Sequence, residues 1–206
     1  MSLKSRFYGN TRKPAGLFGR YMVKRMNAGH HAVLAEWALK DFPVESEASA
    51  LDIGCGGGAN IARLLARCKH VTGVDHAPLS VAKSRQLNAK EIWGGRCEVV
   101  EGDVAALPFE DGSFDLVTAF ETIYFWPDIV ESYRQVHRVL KPGGRFVIVN
   151  ESDGSKPTDA KWESIIEGMH TYTPAEIEAD LAAAGFSSVS VTHDKDRHFI
   201  RVVAVK

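Results

Sequence analysis

The stretch Leu51-Asp52-Ile53-Gly54-Cys55-Gly56-Gly57-Gly58 decides the fold of this 206-residue chain. It begins as a short apolar strand from Ala50, enters a run of glycines, and precedes Ile61, Leu64 and Leu65, which repeat at helical spacing. Glycine lets the backbone turn sharply and lets a ligand approach closely. The stretch therefore predicts a strand, a ligand-binding turn and a helix.

Strands and helices alternate along the rest of the chain. The pattern predicts strands over 50–53, 71–74, 97–100, 114–120, 145–150, 188–192 and 199–205, and helices over 78–89, 129–140 and 174–184. Helices between consecutive strands imply right-handed crossovers and a parallel sheet covered on both faces, an α/β fold. A charged turn over 193–197 joins the last two strands directly, so we expect them to be antiparallel. The turn Lys141-Pro142-Gly143-Gly144 suits type II geometry.

Two segments lie outside this alternation. Residues 1–42 contain Gly9, Gly16, Gly19 and Gly29, and these glycines argue against a long helix in the first 30 residues. A helix is predicted at 30–41. Residues 151–172 contain apolar residues at the spacing of a short amphipathic helix, namely Trp162, Ile165, Ile166 and Met169. We expect one domain over 1–206, with an N-terminal lid at 1–42, a ligand-binding core at 48–206 and a cap insertion at 151–172.

The composition excludes several classes of protein. A formal net charge of -1 argues against a dedicated nucleic-acid binder, and no apolar run is long enough to span a membrane. The start of the chain has no apolar leader, and three cysteines without paired spacing suit a reducing compartment, so a cytoplasmic location is expected. With no H-x-x-H pattern and no Cys/His cluster, we expect no metal site.

Three carboxylates lie at or near the predicted strand ends. Asp52 lies inside the glycine stretch, Asp75 ends the second strand, and Asp103 follows the third strand in Gly102-Asp103-Val104. Asp75 is placed to accept hydrogen bonds from both ribose hydroxyls of an adenosine ligand. Asp103 could accept one from the adenine amine while Val104 packs on the ring. Each carboxylate also has a structural interpretation, as a loop cap, a helix cap or an ordinary turn.

The glycine stretch fits two kinds of adenosine cofactor. Gly54, Gly56 and Ala59 match the G-x-G-x-x-A pattern, which favours an NAD-dependent oxidoreductase. Asp52 argues against it, because a dinucleotide places its pyrophosphate at the N-terminus of the following helix, where a carboxylate is unfavourable. Asp52 could instead help hold an ammonium, directly or through water. S-adenosylmethionine (SAM) carries an ammonium and a carboxylate but no phosphate.

Four segments in order carry a resemblance to a known family: 51–58, 71–75, 101–115 and 140–146. The stretches EGDVAALPFEDGSFDLVTAFETIYFWPD (101–128) and LKPGGRFVIVN (140–150) are similar to the class I SAM-dependent methyltransferases. Within that class they resemble the small-molecule branch that includes ubiquinone and menaquinone biosynthesis enzymes. The resemblance covers about residues 48–205. It implies a Rossmann-like, doubly wound, seven-stranded sheet in the order 3-2-1-4-5-7-6, with strand 7 antiparallel and helices on both faces.

The resemblance also implies site residues, with SAM as cofactor and S-adenosylhomocysteine (SAH) as product. It assigns Asp52, Gly54 and Gly56 to the methionine end, Asp75 to the ribose, and Asp103 with Val104 to the adenine. We also expect four neighbours of these residues to bind the cofactor, namely Cys55, His76, Gly102 and Phe120. Where many relatives have threonine in the loop this chain has Gly57, so we expect a looser loop without loss of binding.

The acceptor is expected beside the end of the fourth strand. Glu121 is the candidate base, with a structural hydrogen bond as the alternative, and Tyr124 is the second candidate catalytic residue. Tyr124 and Trp126 could form an aromatic wall, or could simply pack in the core. Candidate acceptor contacts outside the common fold are Tyr21, His170 and Tyr172.

The leading interpretation is methyl transfer to a small molecule by a monomer or a homodimer. RNA methylation is an alternative, because basic residues are interleaved with aromatic ones before the first acidic residue, Glu36. These basic residues are Lys4, Arg6, Arg12, Lys13, Arg20, Lys24 and Arg25. A SAM-binding module without turnover is the other alternative, since the predicted binding residues are clearer than the catalytic ones.

Overall fold

The computed structural model describes residues 9–26 and 29–206, and a seven-stranded sheet forms its centre. The strands are β1 (Ser49–Ile53), β2 (His70–Asp75), β3 (Cys97–Glu101), β4 (Phe114–Phe120), β5 (Leu140–Asn150), β6 (Ser188–Asp194) and β7 (Phe199–Val205). Their order is β3-β2-β1-β4-β5-β7-β6. Strands β1 to β5 pair in parallel, whereas β7 is antiparallel to both β5 and β6. The predicted order and the antiparallel last strand are confirmed.

Helices cover both faces of the sheet, as predicted. They are α1 (Gly16–Met26), α2 (His30–Lys40), α3 (Ala59–Leu65), α4 (Pro78–Leu87), α5 (Ala89–Trp93), α6 (Ile129–Val139), α7 (Asp159–Ile165) and α8 (Pro174–Ala183). Helices α2, α3 and α4 share one apolar cluster with the sheet, and α6 and α8 share the other. Because the central strands are buried on both faces, β1 and β4 are apolar almost throughout.

Three local features differ from the sequence expectation. An 11-residue helix, α1, forms in the segment whose glycines argued against a long helix. Gly19 lies inside this helix and packs closely on the preceding turn, since an added Cβ would come 2.7 Å from the carbonyl carbon of Pro14. The helix predicted over 78–89 breaks at Asn88, whose side-chain amide donates to the carbonyl oxygens of Gly58 and Ser84. Strand β5 begins at Leu140 rather than 145. The predicted turn at 141–144 lies within the strand, and the pairing of β5 with β4 shifts its register there, from Phe114 opposite Leu140 to Leu116 opposite Arg145.

The chain order brings the carboxyl ends of five parallel strands to one edge of the sheet. The loop after β1 and the residues that end β2, β4 and β5 therefore meet there. This is the edge at which open α/β sheets bind ligands. Within the described ranges, no helix is long and apolar enough to cross a membrane.

Candidate active site

The glycine loop, residues 54–58, is held tightly against the end of β2. The amides of Gly54 and Cys55 donate to the carbonyl oxygen of Val74 at 2.8 and 3.1 Å. Gly54 has a φ of 70°, and a Cβ there would lie 2.4 Å from Cγ2 of Thr122. Only glycine fits this position, because both the backbone angle and the contact exclude a side chain.

Asp75 joins the end of β2 to the glycine loop. Its Oδ2 accepts a hydrogen bond from the amide of Gly56 at 2.9 Å, and its Oδ1 accepts one from Ala77 at 2.9 Å. Burial raises the pKa of Asp75, although these two amides oppose the rise. His76 lies beside it, with Nδ1 3.9 Å from Oδ1. The carboxylate is thus both a structural cap and part of a cavity wall.

A first cavity, called the Asp75 cavity, runs along the ends of β1, β2, β3 and β4. The predicted site residues that line it are Gly54, Gly56, Asp75, His76, Gly102, Asp103, Val104, Glu121 and Trp126. Thr122 and Phe125 also line it, from the stretch after β4 where the acceptor is expected. Further lining residues were not predicted: Ile53, Val74, Ser80 and Pro127 from the core, and Thr11, Pro14 and Val23 from the N-terminal segment. Arg12 also lines it, and its guanidinium donates to the carbonyl oxygen of Glu167 at 3.3 Å. The N-terminal segment and the cap insertion therefore meet over this cavity.

The loop that carries Asp103 and Val104 is fixed by α6. Arg138 donates to the carbonyl oxygens of Leu107 and Phe109 at 2.9 and 2.7 Å, and to Asp111 at 2.8 Å. Val104 is 7% exposed. One planar guanidinium thus positions the far wall of the Asp75 cavity.

Asp52 lies in the sheet beneath the glycine loop. It is 2% exposed, and its Oδ1 accepts a hydrogen bond from Oγ1 of Thr118 at 2.7 Å. Burial raises its pKa to about 7, the charge of Asp75 adds to the rise, and the Thr118 hydroxyl opposes it. Asp52 is not among the described residues that line the Asp75 cavity or its two neighbouring cavities. Its contact with a ligand stays a prediction.

Two other predicted residues lie in a small second cavity, the Arg63 cavity. Cys55 and Phe120 line it together with Arg63, Asn60 and His31. Burial raises the pKa of Cys55 well above its usual value, so the thiol is neutral.

Glu121 lies where these cavities meet a third. It follows β4 with a φ of 60°, unusual for a residue other than glycine, and lines all three cavities. Its Oε1 accepts hydrogen bonds from the hydroxyl of Tyr124 at 3.1 Å and from the amide of Glu151 at 2.5 Å. Burial and the charge of Glu151 raise its pKa well above the usual value. The structural hydrogen bond proposed as an alternative role is therefore present, and the side chain also borders open space.

The third cavity, called the Trp162 cavity, has a volume of about 330 Å³, within the lower range of small-molecule sites. Its apolar lining residues are Met22, Tyr124, Phe125, Trp162, Ile166 and Met169. Polar lining residues include His31, Glu121, Glu151 and Lys156. One oxygen of Glu121, one of Glu151 and one ring nitrogen of His31 all lie within 4.8 Å of one another.

Three predicted acceptor contacts lie elsewhere. The side chain of Tyr21 is 56% exposed, and His170 is exposed with Nδ1 3.7 Å from Glu163. Tyr172 packs edge-on to His170, with ring centroids 4.4 Å apart. None of these three is among the described residues that line the three cavities. Trp126 does line the Asp75 cavity, and it also stacks on Phe146.

The cap is anchored to the last hairpin by Asp153, which is 6% exposed. Asp153 contacts Nε2 of His193 at 2.8 Å and Nδ1 of His198 at 3.2 Å. Burial alone would raise its pKa, but hydrogen bonds from Ser155 and both histidines outweigh it and hold the pKa well below the usual value. The cap's first turn is therefore fixed. Of the predicted basic residues, Lys4 and Arg6 lie outside the described residues, as do the side chains of Lys24 and Arg25.

The sheet order, the glycine loop after β1 and the buried carboxylate that ends β2 define a class: the Rossmann-like methyltransferase fold. Residues 51–148 match the model of a family described as a methyltransferase domain. Over this segment and in its fold, the chain is similar to the class I SAM-dependent methyltransferases.

Known proteins support this assignment. The chain is 33% identical over 132 residues to demethylmenaquinone methyltransferase from Staphylococcus aureus, covering 62% of this chain and 53% of that protein. A SAM-dependent methyltransferase from Aquifex aeolicus has the same fold, with a TM-score of 0.74, 18% identity, and coverage of 90% of this chain and 97% of that one. A chain in the complex of the Haloferax volcanii Trm112 methyltransferase activator with a methyltransferase has a TM-score of 0.80, 23% identity, and coverage of 91% and 95%. The chain spans 42% to 53% of the length of the first curated relatives that it matches.

Proposed function

We propose that this chain transfers a methyl group from SAM to a small-molecule acceptor, with SAM in the Asp75 cavity and the acceptor in the Trp162 cavity. The observation that carries the proposal is the position of Glu121, which borders both cavities. A residue there meets the cofactor's reactive end and the acceptor together. The acceptor is a small molecule, since the Trp162 cavity has a volume of about 330 Å³ and apolar side chains among its lining residues.

The residues of the Asp75 cavity fit SAM. A Cβ on Gly56 would meet only the carbonyl oxygen of Gly54, at 4.0 Å, so the backbone there is open to a close ligand. Asp75 is a buried carboxylate at the strand end where a ribose is expected. Asp103 would accept from the adenine amine, Val104 would pack on the ring, and the glycine loop would face the methionine end. His76 and Gly102 complete the proposed contacts in this cavity, and Cys55 and Phe120 would contribute from the neighbouring Arg63 cavity.

SAM supplies an electrophilic methyl group on a sulfonium, which a nucleophile displaces in line. The protein's task is to align the acceptor and exclude water. Tyr124, Phe125 and Trp162 of the cap line the Trp162 cavity and would form its aromatic wall. Glu121 would hold the acceptor's reacting group and accept its proton where one must leave.

Residues 9–26 and the cap at 151–172 would together form the roof of the site. Thr11 and Arg12 line the Asp75 cavity, and Arg12 contacts the cap at Glu167. This roof would exclude water once ligands are bound.

Calorimetric titration of the purified chain tests the cofactor. SAM and SAH should each bind at one site, and NADH should not bind; NADH binding without SAM binding would overturn the proposal in favour of an oxidoreductase. A second assay with methyl-labelled SAM and a panel of phenols, quinols and amines tests turnover. Binding without transfer to any acceptor in a broad panel would instead support a SAM-binding module.

A further inference from the structure

We propose that His31, Glu121 and Glu151 form a binding site for one divalent transition-metal ion at the junction of the cavities. The site itself is independent of the proposed function. Its use, to hold an oxygen atom of the acceptor, rests on that function.

The three residues come from three separate elements. His31 is the second residue of α2, Glu121 follows β4, and Glu151 follows β5. Because β4 and β5 are parallel neighbours, their carboxyl ends lie side by side, and the start of α2 lies over them. One possible ligand atom from each residue lies within 4.8 Å of the other two. In a tetrahedral site with bonds of 2.0 to 2.2 Å, ligand atoms lie about 3.4 Å apart. Small side-chain rotations would bring the three ligand atoms to that separation.

Hydrogen-bond and ion-pair partners hold both carboxylates of the cluster. Both hydrogen bonds that Glu121 accepts fall on Oε1, from Tyr124 and from the amide of Glu151. These donors fix the carboxylate's orientation, as partners of metal-binding carboxylates commonly do. Oε2 of Glu151 lies 3.2 Å from Nε2 of His30, which orients the second carboxylate in the same way.

Charge also favours a cation between the two glutamates. Two carboxylates this close repel each other, and a divalent ion would stabilise both. Lys156 is the nearest competing cation from the cap, but its ammonium donates to the backbone carbonyl oxygen of Glu151. One imidazole with two carboxylates suits manganese, iron or zinc better than magnesium, which prefers oxygen ligands alone.

The position of the cluster gives it a role. Glu121, His31 and Glu151 all line the Trp162 cavity, and Glu121 also lines the Asp75 cavity. An ion bound here would have coordination positions open toward the acceptor. It would therefore select acceptors with an acidic or chelating oxygen, such as a phenol or a vicinal diol, and Glu121 would act on them through the ion.

The test is a titration of the full chain, stripped with EDTA and dialysed, with MnCl₂, followed by the electron paramagnetic resonance signal of free Mn²⁺. We expect one ion per chain, and competition by Zn²⁺. Replacing a ligand, in His31→Asn or Glu151→Gln, should weaken Mn²⁺ binding by about tenfold or more. The matched controls His170→Asn and Glu163→Gln alter a His–Glu pair outside the cluster and should change binding less than about twofold.

Two results would overturn the site: no stoichiometric Mn²⁺ binding, or binding equally tight in both ligand variants. Equal affinity for Mg²⁺ and Mn²⁺ would show that the imidazole of His31 is not a ligand. Glu151 is 36% exposed at its side chain, so Glu151→Gln carries the test even if His31→Asn unfolds. SAH binding, measured in parallel, separates the proposals: SAH binding without metal binding overturns only the metal site, and metal binding without SAH binding overturns only the proposed function.

Discussion

Asp75 accepts a hydrogen bond from the amide of Gly56 at 2.9 Å, so one carboxylate connects the end of β2 to the turn after β1. The other oxygen of Asp75 accepts from Ala77 at the start of α4. Any ligand that uses this carboxylate therefore binds to a group whose position is set by two backbone contacts. The geometry of the Asp75 cavity depends on this pair as well as on the glycines.

Asp75→Asn should weaken SAH binding by about tenfold or more. The asparagine NH₂ group would face the backbone N–H of either Gly56 or Ala77, and that N–H would lose its hydrogen-bond acceptor. Calorimetry with SAH measures the loss. Glu101→Gln removes an exposed carboxylate at the end of the adjacent strand and should bind SAH normally. Unchanged affinity in Asp75→Asn would show that the carboxylate does not contact the ligand.

Gly54→Ala should destabilise the chain by more than about 2 kcal/mol, because the new methyl group would overlap Thr122 and φ is positive. Thr122→Ser deletes Cγ2, the atom at 2.4 Å, so it should recover part of that loss in the double variant. A double-mutant cycle by chemical denaturation measures the coupling. Strict additivity of the two changes would contradict the contact.

Asp52→Asn should make stability less dependent on pH. In the folded chain Asp52 keeps its proton up to about pH 7, while the unfolded carboxyl loses it near 3.8. Stability therefore falls as pH rises between these values, by roughly 4 kcal/mol in total, and no penalty exists below 3.8. The asparagine Oδ1 can still accept from Thr118, so the variant should exceed the wild type in stability at pH 8 and approach it near pH 4.

Denaturant unfolding at both pH values, with Asp196→Asn as the exposed control, checks this expectation. A variant that is less stable than the wild type at pH 8 would mean that the charged form of Asp52 is favoured in the fold.

Arg138→Lys should cost about 2 kcal/mol, because an ammonium cannot reproduce a fork that donates to Leu107, Phe109 and Asp111 together. SAH affinity should fall as well, since the loop that carries Asp103 loosens. Arg134, one turn earlier on α6, has a surface ion pair with Glu131 and a long hydrogen bond of 3.5 Å to the carbonyl oxygen of Ala183, so Arg134→Lys should stay within about 0.5 kcal/mol of the wild type. Equal effects of the two variants, measured by denaturation and SAH titration, would contradict this role.

The sequence predicted the sheet and many residues that line the Asp75 cavity, because both depend on local patterns. Alternating apolar strands and helices specify the layers, and the resemblance specifies the strand order. The glycines after β1 and the carboxylates at or near the ends of β1, β2 and β3 are short motifs that can be read one at a time, and most of these residues line the Asp75 cavity.

The Trp162 cavity could not be predicted in this way. His31, Glu151 and Trp162 come from a helix, a strand end and an insertion, and no local pattern reports their proximity. A position outside the common fold led to Tyr21 and Tyr172, which lie on the surface and against the core respectively. One signal was available: β4 and β5 are predicted neighbours, and each is followed by a glutamate.

The packing of α2 determines how far the chain could be shortened from its start. Leu34 and Leu39 are buried against the sheet, Trp37 packs against Phe199, and Arg201 donates to the carbonyl oxygen of Ala38 at 2.8 Å. A version that begins at residue 29 should keep a cooperative thermal unfolding transition while losing ligand affinity. One that begins at residue 43 would expose an apolar face of the sheet to water, and it should aggregate rather than fold.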